Sequence, residues 1–69
     1  MWIELTVIDE EGNETACPIN MDNVVTYTPI RADQYPKAQA VLYTTGVFVQ
    51  TMPVLESVEE IDAKMKEAQ

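Results

Sequence analysis

The fold is decided by residues 2–19, which read WIELTVIDEEGNETACPI. Residues 2–8 alternate with the period of two that is typical of a half-buried β-strand: Ile3, Leu5 and Val7 face one way, and Trp2, Glu4, Thr6 and Ile8 face the other. Gly12 and Asn13 tolerate the positive φ that a tight turn needs, so this strand is predicted to pair with a second one over residues 14–19. Pro18 lacks a backbone donor, which places it at an end of that strand or on a sheet edge.

The β pattern continues after this hairpin. Residues 20–23 are rich in Asn and Asp, whose side chains bond to nearby backbone amides, so they predict a turn. Residues 24–28 predict a third strand. Residues 29–37 contain two prolines and show no periodicity, which predicts a surface loop with Tyr35 near its tip.

A second hairpin is predicted in the middle of the chain. Residues 39–44 and 47–52 are rich in β-branched and aromatic side chains, and the Gly46 turn between them favours antiparallel pairing. Pro53 is expected to end the last strand because it cannot donate to a ladder.

The C-terminal segment predicts one amphipathic helix. Ser57 and Glu60 form a capping box, in which each side chain accepts a hydrogen bond from the backbone amide of the other residue. Apolar residues then recur at helical spacing: Val58, Ile61, Met65 and Ala68. The sequence therefore predicts a single α+β domain over residues 1–69, with a small antiparallel β-sheet of about five strands, open or partly closed as a barrel, and one C-terminal helix.

Composition limits the cellular setting and the partners. The chain has 69 residues, one cysteine, no histidine and a formal net charge of −8. This charge has the wrong sign for nonspecific binding to nucleic acid or to an anionic membrane. The acidic N-terminus shows neither a signal peptide nor an apolar run long enough to insert in a membrane, so we expect a cytoplasmic protein.

The residues that could carry chemistry have simpler structural interpretations. Cys17 has no histidine to activate it, so a buried, inert thiol is expected. The acidic residues near Ser57 suit the positive end of the helix dipole and lack the spacing of a calcium loop. Gly12 and Gly46 are isolated turn residues and form no phosphate loop. The sequence predicts that the protein is not an enzyme and holds no metal and no cofactor.

Aromatic side chains are the strongest candidates for a binding surface, because tyrosine and tryptophan offer large contact areas at small entropic cost. The candidate interface residues are Trp2, Tyr27, Tyr35, Tyr43 and Phe48. The alternative is that these side chains only help to cover the two sheet faces, one under the helix and one under the loop. Residues 24–28 and 47–52 carry no charge, so an edge strand among them favours strand addition or a homo-oligomer.

The chain also resembles the FlbD-like family of small flagellar and swarming-motility proteins. Four pieces carry the resemblance, in the same order along the chain: Ile3-x-Leu5-Thr6, Ile19-Asn20-x-Asp22, Val41-x-Tyr43 leading to Gly46, and Val54-x-Glu56-Ser57-x-x-Glu60-Ile61. The resemblance implies a bacterial accessory protein of a flagellar operon that acts by protein contact, and it brings no catalytic residues.

Two functions are therefore carried forward. The first is a non-catalytic protein-interaction module, with motility as its setting. The alternative is an acidic inhibitor encoded by a phage or mobile element, which imitates nucleic acid and occupies a basic groove on a host protein. An aromatic interface should tolerate raised ionic strength, whereas a mimic should lose its partner steeply.

Overall fold

The computed structural model describes residues 1–30, 35, 37–45 and 50–69. Within these residues it contains five strands, a short 3-10 helix at Met21–Asn23 and one α-helix. The elements are β1 (Trp2–Ile8), β2 (Glu14–Asn20), β3 (Val24–Pro29), β4 (Ala40–Thr44), β5 (Gln50–Val54) and α1 (Val58–Ala68). Neighbouring strands are antiparallel in the order β2-β1-β5-β4-β3, and the sheet is not closed. The predicted α+β fold is confirmed.

The first hairpin follows the sequence pattern closely. Gly12 adopts a φ of 87° in the turn, and the Asp9 carboxylate accepts the backbone amides of Glu11 at 2.9 Å and Asn13 at 2.8 Å. Pro18 lies opposite Glu4 in β2, which is an edge strand, as predicted. Asp9 thus fixes the turn, and the missing donor of Pro18 is placed where the ladder can spare it.

Pro53 lies inside β5, so the prediction that it ends the strand was wrong. Of the predicted strand over residues 47–52, residues 50–52 lie in β5, which continues to Val54, and residues 46–49, including the Gly46 turn, lie outside the described part of the chain. The Leu55 amide donates to the Thr6 carbonyl over 2.8 Å, and by alternation the amide position of Pro53 faces β1 too. Because β1 and β5 share a single register pair, the missing donor of Pro53 disturbs little of the hydrogen bonding between these strands.

The edge strand β3 carries two features that oppose further pairing. Its register shifts between Val24 and Thr26, which is the mark of a β-bulge, and Val25 is 66% exposed there. The strand also extends one residue beyond its predicted end and includes Pro29, which has no donor. Bulges and prolines are common devices on sheet edges, so this uncharged strand is less open to strand addition than its composition indicates.

The short connection between the two edge strands forces the sheet to curl. Laid flat, the outer strands of a five-stranded sheet are separated by about 19 Å, at about 4.8 Å per step. The four steps from Asn20 to Val24 reach at most about 14 Å, and less when they are helical. Hydrogen bonds hold this link at both ends, from Met21 N to Met1 O at 2.8 Å and from Thr45 N to Asn23 O at 2.7 Å. The sheet therefore wraps around its core without completing a barrel.

The main core lies between the concave sheet face and α1. Leu5, Leu42, Val54 and Ile61 are almost completely inaccessible to solvent. The remaining buried members of this cluster are Ile3, Ile19, Met21 and Ala40. The capping box at Ser57 is formed as predicted, with the Ser57 side chain accepting the amide of the third helical residue and the side chain of that residue accepting the Ser57 amide.

The amphipathic helix is confirmed, although its last predicted apolar contact is not made. Val58 and Met65 pack against the core on either side of the fully buried Ile61. Ala68 is exposed at the C-terminal end of α1. Its small side chain does not reach the sheet once the helix has passed the core.

The opposite face of the sheet, called the outer face here, is also partly covered. Ile8 points to this face, as predicted, yet it is only 1% exposed. Val41, also on this face by strand alternation, is buried too. Lys37, from the segment between β3 and β4, lies over the outer face, because its Nζ lies 3.6 Å from Glu14 Oε2 on β2. The helix thus covers one face in part, and the described residues Tyr35 and Lys37 lie over the other.

A buried glutamate joins the two halves of the sheet. Glu56 is 9% exposed, and its carboxylate accepts the Thr6 amide over 2.9 Å and the Thr6 hydroxyl over 3.1 Å. Together with the bond from Leu55 N to Thr6 O, these contacts complete the pairing where β5 departs from β1. The Glu56 side chain therefore replaces the backbone acceptor that a longer ladder would supply.

We expect Glu56→Ala to reduce the free energy of unfolding by about 2–3 kcal/mol, because it leaves the Thr6 amide and hydroxyl without their acceptor. Glu56→Gln retains one acceptor oxygen and should lose roughly half as much. Urea denaturation followed by circular dichroism measures both. The matched control is Glu59→Ala on the exposed side of α1, which should stay within about 0.5 kcal/mol of the wild type. Equal losses at positions 56 and 59 would contradict the role assigned to Glu56.

Candidate partner-binding surfaces

The structure distributes the predicted interface residues over three places. Tyr35 and Tyr43 are half-buried and line one shared concavity on the outer face. Trp2 is 64% exposed and is the first residue of β1. Tyr27 packs against the core side and contacts α1. Phe48 lies outside the described residues.

The outer concavity is an open depression of about 600 Å³ on the sheet face opposite α1. Its described lining residues are Glu10, Ile30, Tyr35, Val41, Tyr43 and Thr51. The alternation of β4 places Val41 and Tyr43 on this face while Leu42 enters the core. Thr51 lies directly opposite Tyr43 on β5. The rigid floor is therefore built by central strands, and Tyr35 approaches from the loop.

Part of this surface does not follow from the sequence pattern. Glu10 and Thr51 come together because β5 lies beside β1, and no local pattern indicates that strand order. Ile30 was assigned to the loop, and its half-buried side chain forms another part of the wall. The available signal was period-two alternation, which places Trp2 and Tyr43 on the strand faces away from Leu5 and Leu42.

A second, smaller groove separates the beginning of β1 from the end of α1. This β1–α1 groove has a volume of about 250 Å³ and is lined by Trp2, Ile3, Glu4, Lys64, Glu67 and Ala68. The exposed Trp2 side chain forms one wall, and charged side chains of both signs form the others. From the sequence, Lys64 and Glu67 lie on the polar side of the helix and Ala68 belongs to its apolar stripe. The approach of all three to β1 depends on tertiary packing.

Tyr27 holds α1 against the edge strand β3. Its hydroxyl donates to the Asp62 carboxylate and lies 3.6 Å from the Met65 sulfur. The hydrogen bond to Asp62, followed by burial and the negative charge of Asp62, raises the pKa of Tyr27 above its ordinary value of 10.0. Because the hydroxyl is engaged in this contact, the main role of Tyr27 within the chain is to hold α1 against β3.

The folded structure also shifts the pKa of Asp9 in the β1–β2 turn. Hydrogen bonds donated by the backbone and side chain of Asn13 hold the pKa of Asp9 below its ordinary value. This carboxylate is fully exposed and is engaged within its own turn. Asp9 is thus a turn-forming residue.

The remaining candidates for chemistry form no recognisable catalytic or metal centre within the described residues. Cys17 is a free thiol, half-buried against the core, and so it is more accessible than expected. No group of three or more acidic or cysteine side chains that could bind a metal ion occurs in residues 1–30, 35, 37–45 and 50–69. In the same part of the chain, no helix has the length and apolar character needed to cross a membrane.

Comparisons of the chain with protein-family models, with curated proteins and with solved structures found no match. The geometry of the two surfaces therefore carries the functional argument.

We expect Tyr27→Phe to reduce the free energy of unfolding at neutral pH by about 1 kcal/mol, through loss of the hydrogen bond to Asp62. Because the folded state raises the pKa of Tyr27, the wild type keeps this contribution below the unfolded pKa. It loses the contribution as the pH rises through the folded pKa.

Denaturation curves measure this effect when they are collected from neutral pH to above pH 10.0, the ordinary pKa of the tyrosine side chain. The difference between wild type and Tyr27→Phe should shrink at the alkaline end. Glu59→Gln removes an exposed carboxylate from the same helix and is the matched control. A difference between wild type and Tyr27→Phe that stays constant across the range would contradict the Tyr27–Asp62 linkage.

Proposed function

We propose that this chain is a non-catalytic protein-interaction module whose contact surface is the outer concavity. The observation that carries the proposal is the convergence of Tyr35 and Tyr43 on one open depression with Val41 and Ile30. Paired tyrosines beside aliphatic side chains are typical of the centres of protein interfaces, where large rigid side chains supply most of the binding energy.

The construction of the surface supports this use. Tyr43 is held by β4, which pairs with a strand on each side, so its position is set before a partner arrives. Preorganised contact residues reduce the entropy that is lost on binding.

The resemblance to FlbD-like proteins supports a setting for this module. On that basis the partner is another protein, or a second copy in a homo-oligomer, and the setting is bacterial motility in the cytoplasm. The pieces that carry the resemblance include Tyr43, which lines the outer concavity, and Glu56, which accepts the hydrogen bond from the Thr6 amide. Loss of swarming after deletion of the gene, restored by the wild-type chain, tests the setting separately from the surface.

The alternative is an acidic inhibitor that imitates nucleic acid. The observation that favours it is the exposure of acidic side chains at the β1–β2 turn and in the first turn of α1, namely Glu10, Glu11, Glu59 and Glu60. With a net charge of −8, such a surface would attract a basic groove over long range. This attraction is screened by salt, whereas an interface built on tyrosines is affected little.

The test is photo-crosslinking from the proposed surface. The variant Tyr43→p-benzoylphenylalanine should give one discrete adduct in cell lysate, retained at raised ionic strength and suppressed by excess unlabelled wild type. The mass of the adduct distinguishes a second copy from a different protein. Excess Tyr43→Ala protein should compete about 30-fold more weakly, as expected for loss of about 2 kcal/mol at an interface centre.

The matched control is Glu59→p-benzoylphenylalanine, on the exposed side of α1. An adduct that forms from position 59 and disappears with salt would support the acidic inhibitor. The absence of any adduct from position 43, or identical adducts from both positions, would overturn the use of the outer concavity.

A further inference from the structure

Half of β1 has a backbone edge that pairs with no strand in the described part of the chain. The hydrogen bonds from Met21 N to Met1 O and from Asp9 N to Asn13 O show that the odd-numbered residues of β1 direct their backbone groups toward β2. Thr6, by contrast, directs its carbonyl to Leu55 and its amide to Glu56. The backbone groups of Trp2 and Glu4 alternate with their odd-numbered neighbours and therefore face the same side as those of Thr6.

No described strand pairs with β1 at Trp2 and Glu4 on that side. The ladder between β1 and β5 has its single register pair at Val7 and Val54, and the chain then turns into α1. The amides and carbonyls of Trp2 and Glu4 consequently border the β1–α1 groove. An unpaired edge of this kind is a template for an added strand, because only an extended backbone matches its spacing of donors and acceptors.

The side chains around this edge indicate the character of the strand that fits. Glu4 and Glu67 place two carboxylates at the groove against one ammonium group, from Lys64. The whole chain carries a net charge of −8. The exposed ring of Trp2 offers a face on which an aliphatic or cationic side chain can rest. Charge and ring together favour a basic segment with interspersed apolar residues.

A second copy of this chain fits the groove poorly. A two-fold contact between two such edges would bring the acidic groove of one molecule, with Glu4 and Glu67, against that of the other. Like charges on directly paired strands are destabilising. The surface therefore calls for a partner of opposite charge.

We propose that the β1–α1 groove binds an extended basic peptide segment, which adds to the sheet as a strand on the free backbone of Trp2 and Glu4. The added strand occupies the side of β1 that β5 leaves open, and its basic side chains meet Glu4 and Glu67. This surface is separate from the outer concavity, so it is a further binding site and does not depend on the function proposed above.

The test uses a capped peptide of alternating lysine and valine, titrated into the ¹⁵N-labelled full chain. Amide shifts should concentrate on Trp2, Glu4 and the last turn of α1, with slowed hydrogen exchange at the Trp2 and Glu4 amides. Two N-methylated versions of the peptide are then compared, one methylated at its odd-numbered amides and the other at its even-numbered amides. The version whose methylated amides face β1 should bind roughly tenfold more weakly. A glutamate–valine peptide should not bind.

Glu4→Pro removes a donor that faces the groove, and Ala16→Pro removes a donor that faces outward from the edge strand β2. These two residues are therefore matched in ladder position, and only Glu4→Pro should abolish peptide binding. If Glu4→Pro fails to fold, the methylated peptides decide the question on the wild-type chain. Equal binding by all methylated peptides, shifts centred on Tyr43 and Thr51, or no shifts at millimolar peptide would each overturn the proposal.

Discussion

The contact between Glu56 and Thr6 is the interaction on which the rest of the structure depends. The β1–β2 hairpin and the β3–β4–β5 unit are each held by long ladders between strands that follow one another in the chain. They meet at a single register pair between Val7 and Val54. The Glu56 carboxylate, buried beside this pair, binds both the amide and the hydroxyl of Thr6. A buried carboxylate is tolerated because hydrogen-bond donors compensate its loss of hydration.

The same junction determines what surrounds it. Since β5 ends at Val54, the chain can turn at once into α1, whose capping box begins at Ser57. The helix then covers the concave face through Ile61 and is fastened to the opposite edge by Tyr27. Because β5 departs early, the first half of β1 has no partner strand on that side among the residues that the structure describes. Stability at the core and an open edge beside it thus have one origin.

Local sequence signals predicted most of the elements, because turns, caps and alternation depend on neighbouring residues. Gly12 takes a positive φ, and Ser57 caps the helix as expected. Prediction failed at Pro53, where the rule that proline ends a strand assumes a continuous ladder on both sides. Among the candidate site residues, alternation placed Tyr43 on the outer face. The pairing of Tyr43 with Tyr35 in one concavity required the course of the loop.

The sequence by itself determined the strands, the first turn, the helix cap and the apolar face of the helix, since each follows from chemistry within a few residues. Tertiary structure alone decided that β5 lies between β1 and β4, that Glu56 is buried and that Ile8 is buried on the outer face. These outcomes depend on contacts between distant segments, above all Glu56 with Thr6. The physical reason is that burial and charge pairing are set by what lies across the fold, which a local pattern of polar and apolar residues does not encode.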